Sequence, residues 1–136
     1  ISWYGAGPME TYSDRLPGAK IDLFEGKVAD QLAKYLSPQE SGNKSHVRFA
    51  KITDKKGRGL IVAGNCINVS ALCYTPSEIE EARHDFELPP VTKTVLRVNL
   101  AQMGIGGDDT WGAPTLEDYL IRGKGTLKFN FVIKGI

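Results

Sequence analysis

The sequence is poor in cysteine and histidine, with two of each among 136 residues, and it has no apolar run longer than a strand. Each shortage excludes something. Runs of strand length cannot cross a bilayer as a helix. His46 and His84 stand far apart, and neither falls at metal-ligand spacing with Cys66 or Cys73, which argues against a zinc site. The cysteines flank an apolar segment and read as two buried free thiols rather than a disulfide. An excess of either charge is also missing: the net charge is +1, with acids and bases mixed along the chain. No basic face marks a nucleic-acid partner, and no polybasic run marks an anionic membrane surface. No signal peptide is visible, and the chain opens on Ile1 in what reads as mid-strand sequence. We read it as a single domain, residues 1–136, cut from a longer protein, which leaves the compartment open.

What is present is mostly alternation. Ile1–Tyr4 is β-prone and stops at Gly5-Ala6-Gly7-Pro8. Ala19–Glu25 alternates, with Ile21 and Leu23 on its buried face. Val28–Tyr35 reads either as a short helix, from the spacing of Leu32 and Leu36, or as an extension of the strand. Val47–Thr53 and Gly59–Ala63 flank the turn Asp54–Gly57 as a hairpin, and Ile67–Tyr74 is a further strand. Thr75-Pro76-Ser77-Glu78 is a capping box with proline at the first helical position, predicting a short surface helix near 76–83. Thr92–Met103 is the strongest strand, with Leu96 and Val98 on one face. Pro114–Leu120 suggests a helical turn capped by Thr115, and Thr126–Lys134 a last strand. Strands without interleaved helices favour an all-β, antiparallel β-sandwich.

The densest stretch runs from Gly104 to Gly112, with four glycines, the adjacent acids Asp108 and Asp109, and Trp111. Glycine-rich backbone takes conformations that other residues avoid, so such a loop is shaped rather than merely slack. Two readings compete. Trp111 is tucked into the core behind a tight turn, or the loop presents it to a ligand, a sugar ring first of all. A sugar's C–H face stacks on an aromatic ring without stripping its hydroxyls of partners. Gly106, Gly107, Asp108 and Asp109 would support the loop.

Other chemistry finds little footing. Adjacent acids in extended backbone point to opposite faces, so Asp108 and Asp109 make a poor catalytic pair and a better tie for backbone N–H groups. Glu10 and Asp14 beside Arg15 read as a structural ion pair or, less readily, a site. No nucleophile elbow and no phosphate-loop lysine are found, so no catalytic residue is assigned. Trp3 and Tyr4 read as core.

Three stretches carry a resemblance. Trp3-Tyr4-Gly5-Ala6-Gly7-Pro8-Met9-Glu10-Thr11-Tyr12-Ser13-Asp14-Arg15 looks like W-x-G-x-G-P-x-E-x-Y-x-D-R. Pro38-Gln39-Glu40-Ser41-Gly42 is similar to P-Q-E-N-G, and the run from Met103 to Trp111 to M-G-x-G-G-D-D-S-W. In this order they resemble the C-terminal domain of the large β-galactosidases of glycoside hydrolase family 2, part of which is a separate small subunit in some bacteria. The departures are Met9, Thr11, Ser41 and Thr110.

The resemblance implies half of a galactose-mutarotase-like super-sandwich. It also implies a retaining bacterial β-galactosidase as parent, soluble in cytoplasm or periplasm, acting on terminal β-galactosides such as lactose. Trp111 would help hold the sugar in a site built mainly by a (β/α)₈ barrel elsewhere. The catalytic glutamates and the magnesium and sodium sites would lie on other domains, leaving this chain with no cofactor of its own and inactive alone. An independent carbohydrate-binding module and a purely structural or oligomer-forming domain are the alternatives. A half sandwich should either expose an apolar patch or self-associate through it as a homo-oligomer.

Overall fold

The computed structural model describes residues 1–109 and 111–136. Thr110, one of the departures named above, lies outside them. Among the described residues the elements run β1 (Ser2–Gly7), β2 (Lys20–Glu25), β3 (Lys44–Thr53), β4 (Gly59–Leu72), α1 (Pro76–Glu81), β5 (Val95–Asn99) and β6 (Phe131–Gly135), with single turns of 3-10 helix between some of them. Every pairing is antiparallel, in the order β2-β1-β3-β4-β5. β6 also pairs with β4, at Leu60–Gly64, while β5 takes Asn68–Leu72 of the same strand. The fold is therefore all-β and antiparallel with one short helix.

β3 and β4 form the spine. Asp54 makes their turn: its Oδ1 accepts the N–H groups of Lys56 and Arg58, and its Oδ2 pairs with the Arg58 guanidinium. The register shifts twice between Lys44 and Phe49. His46 and Cys66 take positive φ there, at 53° and 56°. Such irregularities bend a strand and increase its twist. Because β4 passes through Gly64-Asn65-Cys66 unbroken, the two strands expected at 59–63 and 67–74 are one.

The core lies on one face, where Phe24, Trp3, Ala50 and Val62 form a cross-strand row. Trp3 is 2% exposed, packs 5.5 Å from Phe24, and donates its indole N–H to the Ala6 carbonyl. Val47, Ile67 and Val69 complete the buried cluster, and Leu96, Val98 and Phe129 pack against it. Burying a side chain of this size contributes about 1.5–3 kcal/mol.

The other face departs from expectation. Tyr4 is paired with Leu23 and Phe49 on that face and is exposed rather than core. Ile21 and Leu23 are exposed with it, as is Val132 of β6, so the alternation of β2 points its apolar side outward. The result is an uncovered apolar row on the sheet.

Several local expectations are corrected. Val28–Tyr35 forms neither a helix nor a strand but one 3-10 turn at Val28–Asp30, and Leu36 is 97% exposed. The Ala33 N–H goes to the Ser41 hydroxyl instead of a helical carbonyl. β6 begins at Phe131 rather than 126, and Leu127, Phe131 and Ile133 are exposed. Thr115 does not cap the turn at Glu117–Tyr119; its hydroxyl donates to the Gly104 carbonyl. Cys66 is partly exposed, Cys73 is buried, and both are free. The capping box forms in full: Thr75 and Glu78 satisfy each other's N–H groups, and Ile79 anchors the helix in the core. No helix of the described residues is long and apolar enough to cross a membrane.

Candidate functional site

The Trp111 loop leaves the sheet after β5 and closes on itself. The Gly104 N–H donates to the Tyr119 carbonyl at 2.9 Å, and the Leu116 N–H to the Gly106 carbonyl at 3.2 Å. These contacts bring residues 104–106 against 115–119. At Gly107 the two limbs nearly touch, since a Cβ there would stand 2.7 Å from the Ala113 carbonyl oxygen and 2.8 Å from that of Pro114. Asp109 ties the tip, its Oδ1 accepting the N–H of Trp111 at 2.7 Å and of Ala113 at 3.3 Å. This is a side-chain-closed turn, in which a short acid replaces a backbone acceptor. Gly112 follows with φ of 110°, the left-handed range that glycine enters without strain. Asp108 is exposed, and its carboxylate accepts no hydrogen bond among the described residues. Trp111 itself is 94% exposed.

The loop is held from outside by a residue distant in sequence. Asp14 Oδ2 accepts the N–H of Ile105 at 2.9 Å and of Gly106 at 2.6 Å. Four residues earlier, Glu10 makes a parallel attachment to a different turn. It accepts the Gly42 N–H at 2.8 Å and the phenol hydroxyls of Tyr35 and Tyr12 at 2.6 and 3.1 Å. Burial works to raise the Glu10 pKa, but these hydrogen bonds outweigh it and hold the carboxyl below the usual range. Burial and the Glu10 charge push Tyr12 upward. The expected ion pair with Arg15 does not form among the described residues; two phenols and an amide take its place.

Between these attachments lies a concavity of about 900 Å³, lined by Pro8, Glu10, Asp14, Arg15, Tyr35 and Lys44 among others. Trp111 does not line it. Lys44 is 3% exposed, and its ammonium sits 4.7 Å from the Trp3 ring centroid, a cation–π contact. Burial lowers its pKa to about 8, although Glu10 pulls the other way.

Beneath the concavity is a polar knot that periodicity could not reveal. The Asn43 carboxamide donates toward the Thr11 carbonyl at 2.7 Å, Asn68 Oδ1 at 3.1 Å and Ser45 Oγ at 3.2 Å. Thr11 in turn receives the Ser45 N–H on its hydroxyl. Sequence reasoning passed over Asn43 and Lys44, and it placed Asp14 near Arg15 rather than against the loop. The nearest signal was position: all three lie in or beside the three characteristic stretches.

In chemical terms, a loop closed by its own hydrogen bonds holds one large aromatic in solvent. Among the described residues, no group of three or more His, Cys, Asp or Glu is placed to hold a metal ion.

Comparison with known proteins agrees with the motifs. Residues 1–133 match the family described as "Beta galactosidase small chain". The chain is 44% identical to a β-galactosidase of Halalkalibacterium halodurans over its whole length, which is 14% of that protein. It is 43% identical to one from Priestia megaterium and 40% to one from Streptococcus thermophilus, covering 98% of this chain and 13% of each. The chain thus spans about one seventh of the length of these relatives. It belongs to the β-galactosidase small-chain family.

Proposed function

We propose that the chain is the non-catalytic C-terminal part of a retaining β-galactosidase acting on terminal β-galactosides such as lactose, and that it contributes Trp111 to substrate binding. The carrying observation is an indole held almost wholly in solvent by a loop that is braced at its base, its limbs and its tip. A bare indole in water is unfavourable unless something else covers it. In this reading a galactoside in the catalytic domain's site does so. The general acid/base, the nucleophile and any magnesium or sodium belong to other domains of the parent.

The test is an assay of this chain alone and of the full-length protein on a chromogenic β-galactoside. Turnover is expected from the full-length protein only. Turnover by the chain alone, or none by the full-length protein, contradicts the reading. Calorimetry of the chain alone with galactose should give no measurable heat, because one aromatic is only a fraction of a pocket. Clear binding there would favour an independent carbohydrate-binding module.

A further inference from the structure

We infer that Asp14 is the positioning residue for the Trp111 loop, setting where the indole sits; its kinetic part rests on the reading of Trp111 as a sugar contact. Three observations carry it. The carboxylate takes two consecutive amides, Ile105 and Gly106, on one oxygen. Charge-assisted bonds of this kind are about twice as strong as neutral ones. The loop's backbone also closes on that carboxylate: a Cβ at Gly104 would lie 2.9 Å from Asp14 Cγ, and one at Gly106 3.0 Å from Oδ2. Only glycine lets the chain come this near. Third, Asp14 stands on a segment that is itself fixed, because the Thr11 N–H donates to the Asn43 carbonyl and the Arg15 N–H to the Tyr12 carbonyl. The other oxygen, Oδ1, is buried and has no hydrogen-bond partner among the described residues, so within them this carboxylate is attached to the loop alone. The anchor sits ahead of the loop's tip, where a small rotation at Gly106 displaces the indole several residues on. Asp14 touches no substrate; it acts through Trp111.

The experiment uses the full-length β-galactosidase containing this chain, with Asp14→Ala, Asp14→Asn, Trp111→Ala and the Asp14→Ala/Trp111→Ala pair. Asp14→Ala should raise KM for a β-galactoside by about fivefold or more with kcat little changed, the pattern of lost uniform binding. Asp14→Asn keeps an acceptor oxygen and should fall between Asp14→Ala and the wild type, including where Asp14→Ala folds poorly. The double variant should be no worse than Trp111→Ala alone, since both changes remove one interaction. Additive effects, or a wild-type KM in Asp14→Ala when Trp111→Ala raises it, overturn the inference. Amide exchange separates it from the sugar-contact reading. If Trp111→Ala leaves KM unchanged, that reading fails; faster exchange at Ile105 and Gly106 in Asp14→Ala still upholds the anchor, and unchanged exchange overturns it.

Discussion

The carboxylate of Asp14 accepts the Gly106 N–H at 2.6 Å across 92 residues of sequence. With the bond from Gly42 to Glu10, it makes the segment 10–14 a bridge between two turns that do not contain it. Arg97 of β5 adds an ion pair to Glu40, tying the sheet to the turn at 38–42. The three characteristic stretches are thus one assembly, in which short acidic side chains hold glycine-rich backbone by its N–H groups.

Gly107→Ala should loosen the loop more than the domain. The added Cβ would meet the Ala113 and Pro114 carbonyls, so the limbs must part. A stability loss of about 1–2 kcal/mol is expected from the strain. Amide exchange should quicken across 104–119 and stay unchanged in β3 and β4. Equal acceleration in the sheet would show that the loop is not separately closed.

Asn43→Ala should cost about 2–3 kcal/mol, because the Asn68 and Thr11 oxygens lose a donor in a buried setting. Urea denaturation should show a lowered midpoint with an unchanged slope. A loss under half a kilocalorie per mole, on the order of an ordinary surface change, would mean that water replaces the carboxamide.

Lys44 gives a pH dependence with a definite sign. Its folded pKa is depressed to about 8 by burial, so between there and its ordinary value the unfolded chain binds more protons. Stability from this group is therefore full only above its ordinary pKa and is lost as pH falls through about 8. Lys44→Met should stabilise the domain at pH 7 by about 1–3 kcal/mol. The gain should shrink as pH rises toward 10. A Lys44→Met variant less stable at every pH would show that the contact with Trp3 outweighs desolvation.

Local chemistry was legible in the sequence wherever the partners are close along it. The turn at Asp54 and the capping box at Thr75 need only residues within four positions, and both appear as read. Leu96 and Val98 share the core face, as alternation predicts. Failures arise where a distant partner decides. Gly64-Asn65-Cys66 looks like a break, yet β4 continues through it: the register with β3 shifts there and resumes at Val47 and Ile67, and Gly64 pairs with Phe131 of β6. Leu32 and Leu36 have helical spacing, but Ser41 takes the Ala33 N–H and the chain stays irregular. The exposed sheet face misled in another way, since alternation shows which residues share a side but not which side is covered. In the candidate site, glycines and an acid beside a tryptophan were readable as a shaped loop, whereas its anchor at Asp14 lies too far away for any local pattern to show.

The proposed β-galactosidase function is tested most directly by the KM of the full-length protein for lactose with Trp111 replaced by alanine. Loss of one large apolar contact should weaken binding by on the order of 1–3 kcal/mol, raising KM while the chain stays folded. A KM equal to wild type would show that the exposed indole does not meet the sugar.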